Sequence, residues 1–308
     1  MKRLESGLLQ ILNEAKYIKT RIAPTPSGYL HQGNLFAFAL TWLMARKEGL
    51  SILLRIDDLD RARYRMEYLE DVFRSLEILG IDYDEGPSGI EDFEKNWSQK
   101  LRLDLYHSAL NQLKDQNQVF ACDCSRKDIL ELNSEGIYPG TCLNRNLSLD
   151  NPDFAWRWKK NPDHLEIKNW QGNPRSENFP AAMHYSVLKS KAGHPAYQMA
   201  SLIDDVHYKI SHIVRGEDLW DSSLFQMALA QELNLKNFEA IHFHHHPLIR
   251  REGEKLSKSQ SAPAAKIHQN PQAQKELFQN LSRYLGLKES PDSLTELLAL
   301  YSQSGSEA

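Results

Sequence analysis

The run Pro24-Thr25-Pro26-Ser27-Gly28-Tyr29-Leu30-His31-Gln32-Gly33-Asn34 is the first stretch of this sequence where residue types and spacing could do chemistry. Gly28 and Gly33 permit close backbone approach to a ligand, and a helix beginning just beyond favours negative charge at its N-terminus. A nucleotide phosphate suits such a loop. His31 would hydrogen-bond charge developing on the phosphates, which positions and stabilises without transferring a proton. A Gly/Pro turn with a solvated histidine accounts for the same residues. Far downstream, Lys255-Leu256-Ser257-Lys258-Ser259 comes after the charged run Arg250-Arg251-Glu252-Gly253-Glu254. Two lysines three apart with hydroxyls between them can hold a triphosphate as pyrophosphate departs, although a solvated basic loop has the same composition.

The cysteines form another constellation: Cys122-Asp123-Cys124, then Tyr138-Pro139-Gly140-Thr141-Cys142. Three cysteines cannot all pair within one chain, and their spacing suits a metal better than a disulfide framework. Three thiolates can supply three ligands of a tetrahedral zinc site that wants a fourth, for which Tyr138 is an unusual candidate. Three buried thiols remain the alternative.

The elements that must position these groups are legible in outline. Residues 18–24 read as a strand ending in turn formers, and Asn34 to Lys47 as a helix with Leu35, Phe38, Ala39, Trp42 and Leu43 at helical spacing and Gly49 as its stop. Ser51 to Ile56 is a second apolar strand, succeeded by Asp57-Asp58-Leu59-Asp60 and a helix from Glu67 to Leu79. Strand and helix alternate as in a parallel α/β sheet. Residues 119–185, rich in Pro, Asn and Trp, break the alternation. It resumes with a helix from Tyr197, a strand from Ile210 to Arg215, a helix from Ser222 to Leu233 and a strand near Ile241 to Phe243. One α/β domain split by an insertion is the simplest organisation, with residues 119–185 expected outside the sheet.

Composition sets bounds. The chain has 308 residues, 41% hydrophobic and 25% charged, which excludes a low-complexity or disordered protein. No apolar run approaches membrane-spanning length, and the charged start is unlike a secretory signal, so a cytoplasmic protein without a membrane partner is expected. With 37 Lys and Arg against 41 Asp and Glu, the whole-protein field does not attract nucleic acid, and any RNA contact must use local basic patches. Trp156, Trp158 and Trp170 fit apolar packing better than base stacking. His242, His244, His245 and His246 fit structural packing and solvent exposure better than metal binding.

Taken together, the His31 and Lys255–Ser259 segments resemble the HIGH and KMSKS signatures of class I aminoacyl-tRNA synthetases. Arg21-Ile22-Ala23-Pro24-Thr25-Pro26-Ser27-Gly28, Leu54-Arg55-Ile56-Asp57-Asp58-Leu59-Asp60, Tyr197-Gln198 and Val214-Arg215-Gly216-Glu217-Asp218-Leu219 narrow the resemblance to the glutamyl branch. The resemblance implies a Rossmann-like, parallel-sheet α/β catalytic domain binding ATP with Mg²⁺. It implies ATP contacts from Pro26, Gly28, His31, Gly33, Asn34, Lys255, Ser257 and Lys258, with His31, Lys255 and Lys258 as the catalytic groups. By the same resemblance Arg21 and Arg215 grip the side-chain carboxylate of glutamate, while Ala23, Thr25, Asp57 and Tyr197 complete its pocket. A guanidinium fork matches a carboxylate, and an acidic side chain suits an ammonium. Gln32 and Asn34 depart from the commoner signature residues, and Asp57 is one methylene shorter than the usual Glu.

The cysteine segment resembles the zinc-bearing insertion of glutamyl-queuosine tRNA(Asp) synthetases, which implies one structural Zn²⁺ on Cys122, Cys124, Tyr138 and Cys142. The expected organisation is an N-terminal extension at 1–17, catalytic halves at 18–118 and 186–262, the insertion at 119–185, and a short helical segment at 263–308. No anticodon-binding domain is expected after Ser259. The resemblance therefore implies a monomeric ligase that forms glutamyl-adenylate and passes glutamate to queuosine in the anticodon loop of tRNA(Asp), with no DNA partner. A compact ligase loading a tRNA 3′ end or another acceptor is an alternative. A non-catalytic paralogue that binds nucleotide or RNA for regulation is another.

Overall fold

The computed structural model describes residues 18–251, 254–255 and 264–304. In chain order the main elements are β1 (Lys19–Ile22), α1 (Gln32–Glu48), β2 (Ser51–Leu54), α2 (Met66–Leu79), α3 (Leu103–Asp115), β3 (Val119–Cys122), α4 (Arg126–Leu132), β4 (Ala155–Trp158), β5 (His164–Asn169), β6 (Pro174–Asn178), β7 (Val187–Lys189), α5 (Tyr197–His207), β8 (His212–Gly216), α6 (Trp220–Glu232), β9 (His242–His246), α7 (Pro271–Tyr284) and α8 (Leu294–Gln303). They belong to two compact units. One takes Arg102–Ser211 and Leu219–Phe243; the other takes Ile18–Leu101, His212–Asp218 and the chain from His244 onward.

In the second of these units β1 and β2 pair in parallel, Lys19 opposite Ser51 and Ile22 opposite Leu54. Ile22, Ile52, Leu53 and Leu54 are all buried, as expected of a parallel ladder covered on both faces. The pairing continues past the strand ends: Arg55 N–H donates to the Ile22 carbonyl and Asp57 N–H to the Pro24 carbonyl, each at 2.9 Å. The loops that leave the two strands are therefore zipped together. Helix α1 is buried on every side from Leu35 to Ala45, the pattern of a helix enclosed by its own domain, and α7 and α8 pack against it. Gly49 ends it in the left-handed region (φ 71°), donating its N–H to the Ala45 carbonyl. Strand β8 packs beside β1 and is a hydrogen-bonded neighbour of β9.

In the other unit β3, β4 and β7 form an antiparallel sheet, with Val119 opposite Trp158 and Cys122 opposite Ala155. Trp158 is fully buried and meets Phe179 and Phe225 edge-on, and Trp156 and Trp170 are also buried. The tryptophans are core residues. Arg102 forks onto Asp204 of α5 with bonds of 2.8 and 3.2 Å, and the Tyr106 hydroxyl donates to the same carboxylate at 2.7 Å, so this buried charge is satisfied from α3 and its approach. Strand β5 pairs antiparallel with β6 and, in parallel, with β9, Lys168 opposite His242 and Asn169 opposite Phe243. This corrects the expectation that residues 119–185 lie outside the sheet. Leu165 and Ile167 alternate with exposed positions and bury one face of β5 against α6, so the strand has an apolar face to place and β9 an edge to receive it. No helix among the described residues is long and apolar enough to cross a membrane.

Candidate functional site

His31 is the N-cap of α1. Its Nδ1 accepts the Asn34 N–H at 3.3 Å, while Asn34 Oδ1 accepts the His31 N–H at 3.1 Å, a reciprocal capping box. An accepting Nδ1 puts the imidazole proton on Nε2, leaving an N–H donor for a ligand oxygen. Burial lowers the His31 pKa below its ordinary value, opposed by the carboxylate of Asp218, so the ring acts as a neutral donor. Gly33 makes room for that ring: a Cβ there would stand 3.1 Å from both Cε1 and Nδ1 of His31. A Cβ at Gly28 would stand in open space. The two departures from the signature thus have local work. Asn34 completes the cap, and Gln32 Nε2 donates to the Ala273 carbonyl at 2.7 Å, tying α1 to α7.

Arg21 on β1 and Arg215 on β8 are both buried, at 5% and 3% exposure. Arg21 Nη1 donates to the Val214 carbonyl at 3.4 Å, which brings its guanidinium to the strand that carries Arg215. His245 on β9 lies in the same positive field. Burial, then Arg215, His244, His246 and Arg21, push its pKa down to about 3, so it stays neutral. Two buried guanidiniums thus lie in one unit. Asp57, on the loop zipped to Pro24, is buried and accepts Arg55 Nε at 2.7 Å and Nη2 at 2.9 Å. The shorter carboxylate is thereby held by its own neighbour two residues back. Asp58 is turned the other way, accepting from Ser98 Oγ, Gln99 N–H and Arg61 Nη1 at 2.6 to 2.8 Å. Ala23 is partly buried and Thr25 exposed beside it.

Tyr197 belongs to the other unit, where it starts α5 with its side chain 44% exposed. Lys255 pairs through its backbone with Arg250 in a short antiparallel ladder. Ser257 and Lys258, like the extension at 1–17, lie outside the described residues.

The cysteine cluster assembles from three pieces of chain. Cys122 ends β3, Cys124 sits one residue before the Ser125 cap of α4, and Tyr138 and Cys142 come from the loop beyond that helix. The three Sγ atoms lie within 4.8 Å of one another, Cys124 and Cys142 at 3.5 Å. Tyr138 Oη is hydrogen-bonded to Cys122 Sγ at 3.5 Å and accepts the Cys142 N–H at 2.7 Å. Tetrahedral zinc with bonds of about 2.3 Å spaces its sulfurs about 3.8 Å apart, so these donors fit such an ion. Burial, aided by Cys142 and Cys122, pushes the Cys124 thiol up to about 12. Against burial, bonding to Tyr138 and Arg157 holds Cys122 below its ordinary value. Gly140 turns the loop at φ 84°, and a Cβ there would stand 2.8 Å from the Tyr185 ring. Around the sulfurs, Arg145 grips Asp123 at 2.7 and 2.9 Å and reaches Cys142 Sγ at 3.4 Å, and Arg157 lies 3.8 Å over the Tyr138 ring.

Sequence reading missed Arg55 and His245. Arg55 carried a signal, since an arginine two residues before an aspartate on one strand face can fork onto it. His245 carried none, because its neighbours Arg21 and Arg215 come from distant strands.

The family model for the catalytic domain of class I tRNA synthetases (E and Q) matches residues 17–150 and 172–299. A Glutamyl-Q tRNA(Asp) synthetase of Ralstonia nicotianae is 35% identical over 87% of this chain and 84% of its own length. A Glutamate--tRNA ligase of Buchnera aphidicola is 31% identical over 80% of this chain, which spans about half (52%) of that relative. Among solved structures, a glutamate-tRNA synthetase of Elizabethkingia anophelis superposes with a TM-score of 0.65 at 24% identity, covering 80% of this chain and 53% of that one, a likeness of fold. These matches show that the chain belongs to the class I tRNA synthetases of the E and Q type.

Proposed function

We propose that this protein activates glutamate with ATP and transfers it to queuosine in the anticodon loop of tRNA(Asp). The observation that carries the first half is the burial of Arg21 and Arg215 in one unit with the His31 loop, with a neutral His245 beside them. A side-chain carboxylate suits two buried guanidiniums better than a carboxamide does. In the first step the glutamate α-carboxylate attacks the ATP α-phosphate, the bond to pyrophosphate breaks, and glutamyl-adenylate forms. His31 Nε2–H, Lys255 and Lys258 hold the charge that develops, and Pro26, Gly28, Gly33, Asn34 and Ser257 shape the nucleotide loops. Mg²⁺ arriving with ATP would neutralise phosphate charge. Asp57, Ala23 and Thr25 complete the amino-acid pocket. In the second step an acceptor hydroxyl attacks the activated carbonyl and AMP leaves.

Residues 119–185 are read as the insertion between catalytic halves 18–118 and 186–262, an insertion that also lends β5 to the β9 edge. Cys122, Cys124, Tyr138 and Cys142 would hold a structural Zn²⁺, which would cross-link β3 to the loop after α4. The protein is taken to act as a cytoplasmic monomer. Support for the queuosine acceptor comes from relatives named Glutamyl-Q tRNA(Asp) synthetase that match over most of their length. The relative named Glutamate--tRNA ligase favours a second reading, loading of a tRNA 3′ end. Labelled glutamate, ATP and bulk tRNA from cells able or unable to make queuosine separate the two. Labelling confined to queuosine-containing tRNA is expected; labelling that persists without queuosine rejects the proposed acceptor.

A further inference from the structure

Leu30, the residue before His31, is held by both of its backbone groups. Its N–H donates to Asp71 Oδ2 at 2.9 Å, and its carbonyl accepts the Ala265 N–H at 2.8 Å. Asp71 is an aspartate in the interior of α2, where the residue type is unfavourable, and it is 4% exposed. A buried carboxylate at such a position calls for a polar task. Its other oxygen, Oδ1, lies 3.7 Å from Nδ1 of His268, whose side chain is 10% exposed, and neither of these two buried atoms has a hydrogen-bond partner. Closing that gap by well under 1 Å would make a direct bond. Lys266 Nζ sits 4.7 Å from the centre of the Tyr29 ring, and Gln32 reaches the Ala273 carbonyl. Residues 29, 30 and 32 are thus anchored to α2 and to the segment 265–273 on both sides of His31.

We propose that Asp71 and His268 are positioning residues for the nucleotide site: by fixing Leu30 they fix the backbone of His31 and the direction of its Nε2–H. The proposal rests on reading the His31 loop as the ATP loop. A carboxylate that accepts a backbone N–H is held in place when an imidazole engages its second oxygen, so His268 acts through Asp71 and Asp71 through Leu30. Neither touches the nucleotide.

The test uses the full-length protein with Asp71→Ala, Asp71→Asn, His268→Ala and the double variant Asp71→Ala/His268→Ala. Steady-state ATP–pyrophosphate exchange gives KM for ATP and for glutamate, binding of a fluorescent ATP analogue gives a Kd independent of turnover, and thermal melting reports folding. Asp71→Ala is expected to raise KM and Kd for nucleotide about tenfold, the loss of one charge-assisted hydrogen bond, with KM for glutamate unchanged. Asp71→Asn keeps an acceptor for the Leu30 N–H and should recover most of that loss. His268→Ala should cost about threefold alone and nothing further in the Asp71→Ala background. Lowered melting temperatures with nucleotide KM and Kd unchanged, or fully additive effects of the two alanines, would overturn the positioning role. Should Asp71→Ala fail to fold, Asp71→Asn and His268→Ala carry the same comparison. Wild-type protein that binds no nucleotide would overturn the ATP-loop reading itself, a result distinct from active variants with unaltered KM.

Discussion

Replacing Gly33 by alanine places a methyl carbon 3.1 Å from two atoms of the His31 imidazole, where ordinary contacts begin at about 3.4 Å. Leu35 and Phe36, the first buried residues of α1, fix the backbone just beyond, so the ring must give way by a few tenths of an ångström. The bond from Asn34 N–H to His31 Nδ1 is already long at 3.3 Å and is the first casualty. Losing a side-chain cap costs about 1 kcal/mol of stability. The functional cost is larger, because the same movement swings Nε2–H away from the phosphate it should meet. A donor displaced by a substantial fraction of an ångström loses on the order of 10- to 100-fold in rate. Thermal melting and glutamate-dependent ATP–pyrophosphate exchange should therefore show a small fall in stability with a 10- to 100-fold fall in kcat/KM for ATP. Gly28→Ala, whose methyl enters open space, should leave the melting temperature unchanged. A Gly33→Ala enzyme with wild-type exchange kinetics would refute the coupling of glycine, ring position and phosphate.

Arg215→Met should lower kcat/KM for glutamate by on the order of 100-fold or more, since about 3 kcal/mol is lost when one partner of a buried ionic contact is removed; an effect below threefold in exchange assays would remove Arg215 from the pocket. Cys142→Ser should abolish stoichiometric zinc in purified protein and lower the melting temperature, whereas a well-folded, metal-free wild type would reject the zinc site. Two partly buried imidazoles make stability pH-dependent. His244 and His245 have folded pKa values pushed down to about 4 and about 3, from an ordinary 6.5. Their depressed values mean that the unfolded chain takes up protons first as pH falls. Stability from burying them neutral is present above about pH 6.5 and is lost progressively between there and about pH 3. Melting curves from pH 7 to pH 4 should fall more steeply for wild type than for His245→Gln, and parallel curves would contradict the assignment.

The amphipathic and capping signals of the sequence were local, and those are the parts that could be read in advance. Gly49 stops α1, β1 and β2 pair in parallel, and the turn after β1 delivers His31 to a helix start, all from contacts within a few residues or one adjacent crossover. The joining of β5 to β9 was not readable, because Leu165 and Ile167 announce a strand with one apolar face without saying which distant edge will receive it. The same limit applies to the two buried arginines. Arg21 and Arg215 were legible only through resemblance, and His245 not at all, since their association is made by β1, β8 and β9 and not by spacing. Asn34 and Gln32 looked like defects in a signature. They prove to be a cap and a tie, roles that depend on hydrogen-bond partners one turn or hundreds of residues away. The four donors were readable as a group because Cys122, Cys124, Tyr138 and Cys142 share one short stretch, while the approach of the Tyr138 hydroxyl to Cys122 and Cys142 depends on the loop's fold.

Glutamate-dependent ATP–pyrophosphate exchange by the purified, metal-replete protein, measured with and without tRNA and with glutamine as the competing amino acid, tests the central claim most directly. Exchange with glutamate, and at least a hundredfold less kcat/KM with glutamine, is the expected result if, as proposed, the buried Arg21 and Arg215 hold the side-chain carboxylate. Absence of exchange with glutamate under every RNA condition, or equal exchange with glutamine, would contradict it.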